Sequence, residues 1–213
     1  NWPTSVLAQA APGQLTLRFH ETIVDPETGE DLEQEVLVSG VEEWGIPTYK
    51  EDEILLGLLQ ICRQQGFPKS FRFTRYQLIK TLGWTVNGHR YEDLYTGLHR
   101  LTTTNYTYRW AWRNMTERKW MPSVTHTLLQ SLSIYRLKDQ KQASKTRDDG
   151  FCAVTLSDWF HESLTEGNLR TIDYQFWKEI KSPTARRMYR YLDFRMHRSD
   201  FISLDLETFA LSR

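Results

Sequence analysis

Apolar and polar positions change rhythm in the middle of this chain. Tyr91, Leu94, Tyr95, Leu98 and Leu101 recur at the spacing of one helical face. A few residues later Tyr106, Tyr108, Trp110 and Trp112 alternate with Thr107, Arg109, Ala111 and Arg113, the period of a strand. The pattern predicts a helix opening just after the Asn87-Gly88 break and running into a strand over 104–113 with an aromatic core face. Upstream, 15–24 and 33–41 alternate at period two around the turn-rich connector "DPETGED", which predicts a β-hairpin with an acidic tip. Pro47 then precedes a helix with Thr48 as N-cap, acidic Glu51, Asp52 and Glu53 at its positive end, and Gly66 as its stop. Ile54, Leu55, Leu58, Leu59 and Cys62 are its expected buried stripe. "FRF" (71–73) reads as a short strand, Thr74 as the cap of a compact helix ending at Gly83, 126–138 as a strand, 139–150 as a lysine-rich hairpin loop and 151–157 as the returning strand.

Helix, short strand, helix, turn, helix and antiparallel strands form the order of a winged helix, a helix-turn-helix carrying a β-hairpin. The predicted class is α+β, with an antiparallel sheet behind the third helix. An internal echo extends the pattern. When 71–82 is laid on 202–213, Thr74 falls on Asp205, Phe73 on Leu204, Leu78 on Phe209 and Ile79 on Ala210. In the helix before it, Ile54, Leu58 and Ile61 fall on Ala185, Tyr189 and Leu192. The expected organisation is an acidic arm with a hairpin (1–46), a first winged-helix domain (47–181) and the truncated start of a second (182–213).

Charge adds a direction. Of the 27 acidic residues, 12 lie within 1–53 beside only 2 basic ones, leaving 15 acidic and 25 basic residues for 54–213. Such asymmetry suggests a basic body for a polyanion and an acidic arm that shields it. Cys62 and Cys152 fall in apolar runs and read as buried small residues, which fits a reducing, cytoplasmic setting. No apolar run approaches the roughly 18 residues of a membrane span.

On the third helix the outward row is His89, Arg90, Asp93, Thr96, Gly97 and Arg100. Arginine can pair bidentately with guanine and threonine can meet phosphate or a thymine methyl. Glu92 and Asp93 would approach phosphates and equally suit a protein contact. Arg109 and Arg113 point away from the aromatic face and adjoin Arg118 and Lys119, while that face could stack single-stranded bases or fill a core. Lys138, Lys141, Lys145 and Arg147 form the expected wing tip. Arg186 and Arg190 lie on a helix that either reaches DNA or ties two units together through carboxylates. The histidines show no metal-ligand spacing and there is no nucleotide-binding loop. Asp158 beside Ser157 reads as a helix cap, so the pattern indicates a non-enzymatic protein without cofactor or metal.

The runs "PTYKEDEILLGLL", "FRFTRYQLIKTLG" and "GHRYEDLYTGLHRLTTTNY", and above all "VTLSDWFHESLTEGNLRTIDYQFWKEIKSPTARRMYRYL" (154–192), resemble the bacterial plasmid replication initiator protein A family. The resemblance implies two winged-helix units in pseudo-symmetric tandem that bind repeated double-stranded sites at an origin of replication. It also implies a homodimer and contacts with a host replication initiator or helicase. A single-stranded DNA-binding or repair protein and a winged-helix dimerisation module are the alternatives.

Overall fold

The computed structural model describes residues 13–25, 27–114, 119–135, 150–166 and 172–196. Pro47 is followed by α1 (Tyr49–Gln64), whose first turn is closed by a reciprocal cap. Thr48 Oγ1 accepts from the Lys50 amide at 3.3 Å, and Glu51 reaches back to the Thr48 amide at 2.6 Å. β3 (Ser70–Thr74) buries Phe71 and Phe73 on one side. It runs into α2 (Arg75–Leu82), capped by Thr74 and stopped at Gly83, whose φ of 72° is the left-handed cap that glycine adopts without a Cβ penalty. Asn87 caps α3 (Gly88–Thr103) through the Arg90 amide at 2.9 Å. Ile54, Leu58 and Ile61 of α1 pack with Leu78 and Ile79 of α2 and Leu94, Leu98 and Leu101 of α3, all essentially removed from water. The α1 stripe is rotated about the helix axis from the expected one: Gly57 and Ile61 are inside, while Leu55 and Leu59 are half-buried.

The wing closes this trio. β8 (Leu129–Ile134) and β9 (Phe151–Leu156) pair antiparallel, and β9 takes β3 on its other edge, with Phe71 opposite Val154. The sheet order β3-β9-β8 behind three helices is the expected winged helix, α+β with antiparallel sheets.

The strand leaving α3 goes elsewhere. β4 (Asn105–Arg109) joins a second sheet of order β1-β2-β4-β7, built with β1 (Thr16–Val24), β2 (Asp31–Ser39) and β7 (Val124–His126). Val38 sits opposite Tyr106 and Val36 opposite Tyr108. Both valines are fully buried, each worth about 1.5–3 kcal/mol relative to exposure. The hairpin at 15–41 therefore exists, but not as a separate arm: it is the second layer of the domain core.

The strand expected over 104–113 also breaks. Trp110 takes a φ of 52°, held by its carbonyl accepting from Gln34 Nε2 at 2.7 Å and by its amide donating to Met121. The chain resumes as β5 (Trp112–Asn114), paired with β6 (Lys119–Met121). The kink resets the alternation: Trp110 turns outward while Ala111 is buried. The run 126–138 is likewise divided, because β7 belongs to the second sheet and β8 to the wing sheet, with Leu128 and Leu129 buried at the crossing. After β9, Ser157 rather than Asp158 caps α4 (Asp158–Thr165), while Asp158 pairs with Lys69. α5 (Tyr174–Glu179) and α6 (Pro183–Arg195) follow, the latter capped by Ser182 where a second unit was expected to begin. The echo at 202–213 lies outside the described residues.

Candidate nucleic-acid interface

The outward row read on α3 is split by the structure. Arg100 is not at the surface of a groove-reading helix. Its guanidinium donates to the Trp44 carbonyl at 2.5 Å and to Glu51 Oε1 at 2.9 Å, and the Glu51 side chain is almost wholly buried. Gly97 lies against Ile54 and Glu51 so closely that a Cβ there would collide, which makes it the crossing point of α3 and α1. Asp93 is turned the same way and collects Lys50 at 2.7 Å, Arg90 at 3.0 Å and His89 at 3.7 Å. The helix thus buries two faces, an apolar one and a polar one that period counting assigns to solvent. Tyr95, expected inside, is 37% exposed and meets His99 edge-on, with Trp44 stacked on His99 at 4.6 Å.

Burial raises the Asp93 pKa, but hydrogen bonding and charge from Lys50, helped by His89 and Arg90, outweigh it and hold the carboxyl below its ordinary value. A carboxylate with a depressed native pKa contributes stability above its unfolded pKa and loses it as pH falls through the native one. Asp93→Asn should therefore lower the urea midpoint at pH 7, and the gap to the wild type should close on acidification below about pH 4. An undiminished gap at pH 3 would remove the charge from this account.

Other expected contacts are also spoken for. Arg186 donates to the Ile180 and Lys178 carbonyls at 2.6 and 3.1 Å, pairs with Glu53 and lies 4.6 Å over the Trp177 ring. Its place is an internal joint, as the carboxylate-tied alternative for that helix anticipated. Arg190 stands 3.6 Å from Asp52 on the same seam. Arg109 pairs with Glu35 at 2.7 Å but keeps half its side chain in water, Arg113 pairs with Glu27, and Lys119 is exposed at the start of β6. These pairs account for part of the charge asymmetry: Glu27, Glu35, Glu51, Asp52 and Glu53 are intrachain partners of arginines from the rest of the chain. His89 is exposed, Thr96 half-buried, and Arg90 part-buried. Arg118, Lys138, Lys141, Lys145 and Arg147 lie outside the described residues. Where β8 ends and β9 begins, the Tyr135 amide donates to the Phe151 carbonyl at 2.8 Å.

The aromatic strand face is core. Tyr106 and Tyr108 are 1% and 7% exposed, and burial pushes the Tyr108 phenol up to about 12. Trp112 packs against Trp159 at 4.7 Å. No base could stack on Tyr106 or Tyr108, which leaves Trp110 as the exposed ring of that row.

What sequence reading missed is a set of cations lying on aromatic rings of β9, α2, the segment before α3 and its first turn. Arg72 lies 5.0 Å over Phe151 at the base of the wing, and Arg75 lies 5.4 Å over Tyr91 between α2 and α3. Lys80 lies 5.7 Å over Tyr76, and Arg90 lies 4.8 Å over Trp84. The signal for Arg72 was present in "FRF", where alternation sends it opposite to Phe71 and Phe73. Lys80 over Tyr76 is an i,i+4 pair within α2 that spacing also encodes, whereas Arg75 over Tyr91 depends on how α2 meets α3. A guanidinium lying on a ring is oriented by it, and that of Arg90 also donates to Asp93 at 3.0 Å.

Among the described residues no group of three or more His, Cys, Asp or Glu is arranged to hold a metal ion, and no helix is long and apolar enough to cross a membrane. Residues 14–205 match the family described as Replication initiator protein A. The chain belongs to that family. This replication initiator protein A member is 28% identical over 170 residues to the plasmid replication initiator protein TrfA of Escherichia coli, a match covering 78% of the chain and 39% of TrfA. The chain thus corresponds to well under half the length of that relative. Its fold resembles a crystal structure of domains 2 and 3 of RctB (selenomethionine derivative), with a TM-score of 0.68 at 14% identity, covering 97% of the chain and 73% of the other. A further structure of RctB domains 2–3 gives 0.64 at 12% identity over the same shares. At such identities the likeness to RctB speaks for the winged-helix fold of this family member and for nothing finer.

Proposed function

We propose that this chain acts in plasmid replication initiation by gripping duplex DNA at repeated origin sites, as a binding protein rather than an enzyme. The observation that carries the reading is the set Arg72, Arg75, Lys80 and Arg90, each laid on a ring of β9, α2, the segment after it or the first turn of α3. Arg75 lies on Tyr91 and Arg90 stands in the first turn of α3, the end that a helix-turn-helix offers to the major groove, while Arg72 lies on the wing sheet. The arginines and lysine contact phosphates, and the exposed His89 with Thr96 faces base edges. Phosphate contacts set affinity and register without reading sequence.

Anisotropy titration of an origin-repeat duplex over a salt series tests this. Engagement of about four phosphates gives a log–log slope near −3.6. The double variant Arg72→Ala/Arg75→Ala should flatten that slope by about 2 and weaken unrelated duplexes equally, with the melting temperature little changed. A wild-type slope in the double variant would sink the assignment of this face, and tighter binding of the matching single strand would favour the other nucleic-acid reading.

A second reading has its own observation. The Trp44, Tyr95 and His99 cluster presents rings on the outer side of α3, a surface suited to a second copy of the chain. Tyr95→Ser would then lower the sedimentation-derived mass without altering the salt slope.

A further inference from the structure

The three consecutive carboxylates at the start of α1 go to different places. Glu51 takes Arg100 of α3, and Asp52 faces Arg187 and Arg190 of α6, each at 3.6 Å. Glu53 divides its two oxygens between separate elements. Oε1 holds Arg186 of α6, and Oε2 accepts from the Trp84 indole N–H at 3.0 Å, in the segment joining α2 to α3. The Trp84 ring in turn carries the Arg90 guanidinium at 4.8 Å. Glu53 is 9% exposed and the Arg186 side chain 16%.

We propose that Glu53 is a two-sided clamp through which the position of α6 sets the position of Arg90. Both carboxylate oxygens belong to one planar group, so a rotation that follows Arg186 also moves the acceptor of Trp84. Loss of Arg186 leaves Oε1 desolvated and unpaired, and the group relieves that cost by turning toward water and releasing the indole. Trp84 then no longer holds its ring under Arg90. Arg90, already paired with Asp93 at 3.0 Å, is then positioned by that carboxylate alone, which it shares with Lys50 and His89. Glu53, Trp84 and Arg186 are thus positioning residues: they touch no ligand and act through Arg90. α6 is the last described element, so a displacement of it is felt at the first turn of α3. The geometric coupling stands on contacts alone, and only its consequence for DNA rests on the function proposed above.

Hydrogen exchange by mass spectrometry on the full chain tests it. Arg186→Met should speed exchange over 84–92 by about tenfold or more, since a charged hydrogen bond to a buried group is lost. The centre of α1 should stay at wild-type rates. Arg187→Met, which faces Asp52 and not Glu53, should leave 84–92 unchanged, and Arg186→Lys, which keeps a cation on Glu53, should restore most of the protection. Trp84→Phe keeps a ring beneath Arg90 but lacks the N–H, so it should open the same segment. The double variant Arg186→Met/Trp84→Phe should then open it no further than either single change. Exchange altered only over 177–190, or additive effects in the double variant, would overturn the clamp. Opening of 84–92 with no change in duplex affinity would keep the clamp and instead discard Arg90 as a DNA contact.

Discussion

Arg100→Met is expected to cost about 3–5 kcal/mol of unfolding free energy, the scale for removing one partner of a buried ion pair. Glu51 is 2% exposed, and its Oε2 already accepts from the amide and hydroxyl of Thr48 at 2.6 and 2.7 Å. Its Oε1 depends on Arg100. Methionine keeps the aliphatic stem, so the measured loss reflects the stranded carboxylate rather than packing. Adding Glu51→Gln to Arg100→Met should recover part of the loss, because the residual group is then neutral. Arg90→Met provides the contrast. Its partner Asp93 retains Lys50, and Arg90 is about a third exposed, so the expected change is below about 1 kcal/mol. Urea unfolding of the three proteins decides it: a loss under 1 kcal/mol for Arg100→Met would return that residue to the candidates for DNA contact.

Removal of residues 13–41 should abolish cooperative unfolding altogether. The deletion takes Val36 and Val38 from the core, uncovers Tyr106 and Tyr108, and leaves β4 without its ladder partner on that side. Two fully buried valines alone represent about 3–6 kcal/mol by area, against a total of about 5–15 kcal/mol for an ordinary domain. A truncated chain that still melts in one sharp step near the intact protein's midpoint would show that the hairpin is an appendage after all. The outcome bears on any experiment that trims the acidic end to expose a basic body, since the expected product is an unfolded chain and not an unshielded one.

The helices were legible because their ends carry explicit chemistry: Thr48 with Glu51, Thr74 with Gly83, and Asn87 each fix a terminus locally. The hairpin was legible as a hairpin for the same reason. Its destination was not, since nothing in 33–41 names Tyr106 and Tyr108 as the residues it will face. Period counting failed at Trp110 because its positive φ interrupts the strand, turning Trp110 outward and burying Ala111. The candidate site suffered most. Asp93 and Arg100 look solvent-directed by spacing, and only the approach of α1 at Gly97 turns them into an internal polar seam. The charge imbalance between the first quarter and the rest was real, yet much of it is consumed inside the molecule. Glu27, Glu35, Glu51, Asp52 and Glu53 meet Arg113, Arg109, Arg100, Arg187, Arg190 and Arg186. A count along the chain cannot distinguish such pairs from a field presented to a ligand.

The wing sheet has a consequence for how the chain comes off the ribosome. β3 spans Ser70–Thr74, but the strand that pairs with it along its length is β9, Phe151–Leu156. At about 5–20 residues per second of synthesis, Phe71 and Phe73 wait for several seconds with their inner face uncovered and their backbone edge unpaired. During that interval the helices and the second sheet can form, whereas the wing cannot. Nascent chains halted before residue 150 should therefore be held by chaperones that recognise short aromatic segments, and chains released after residue 156 should not.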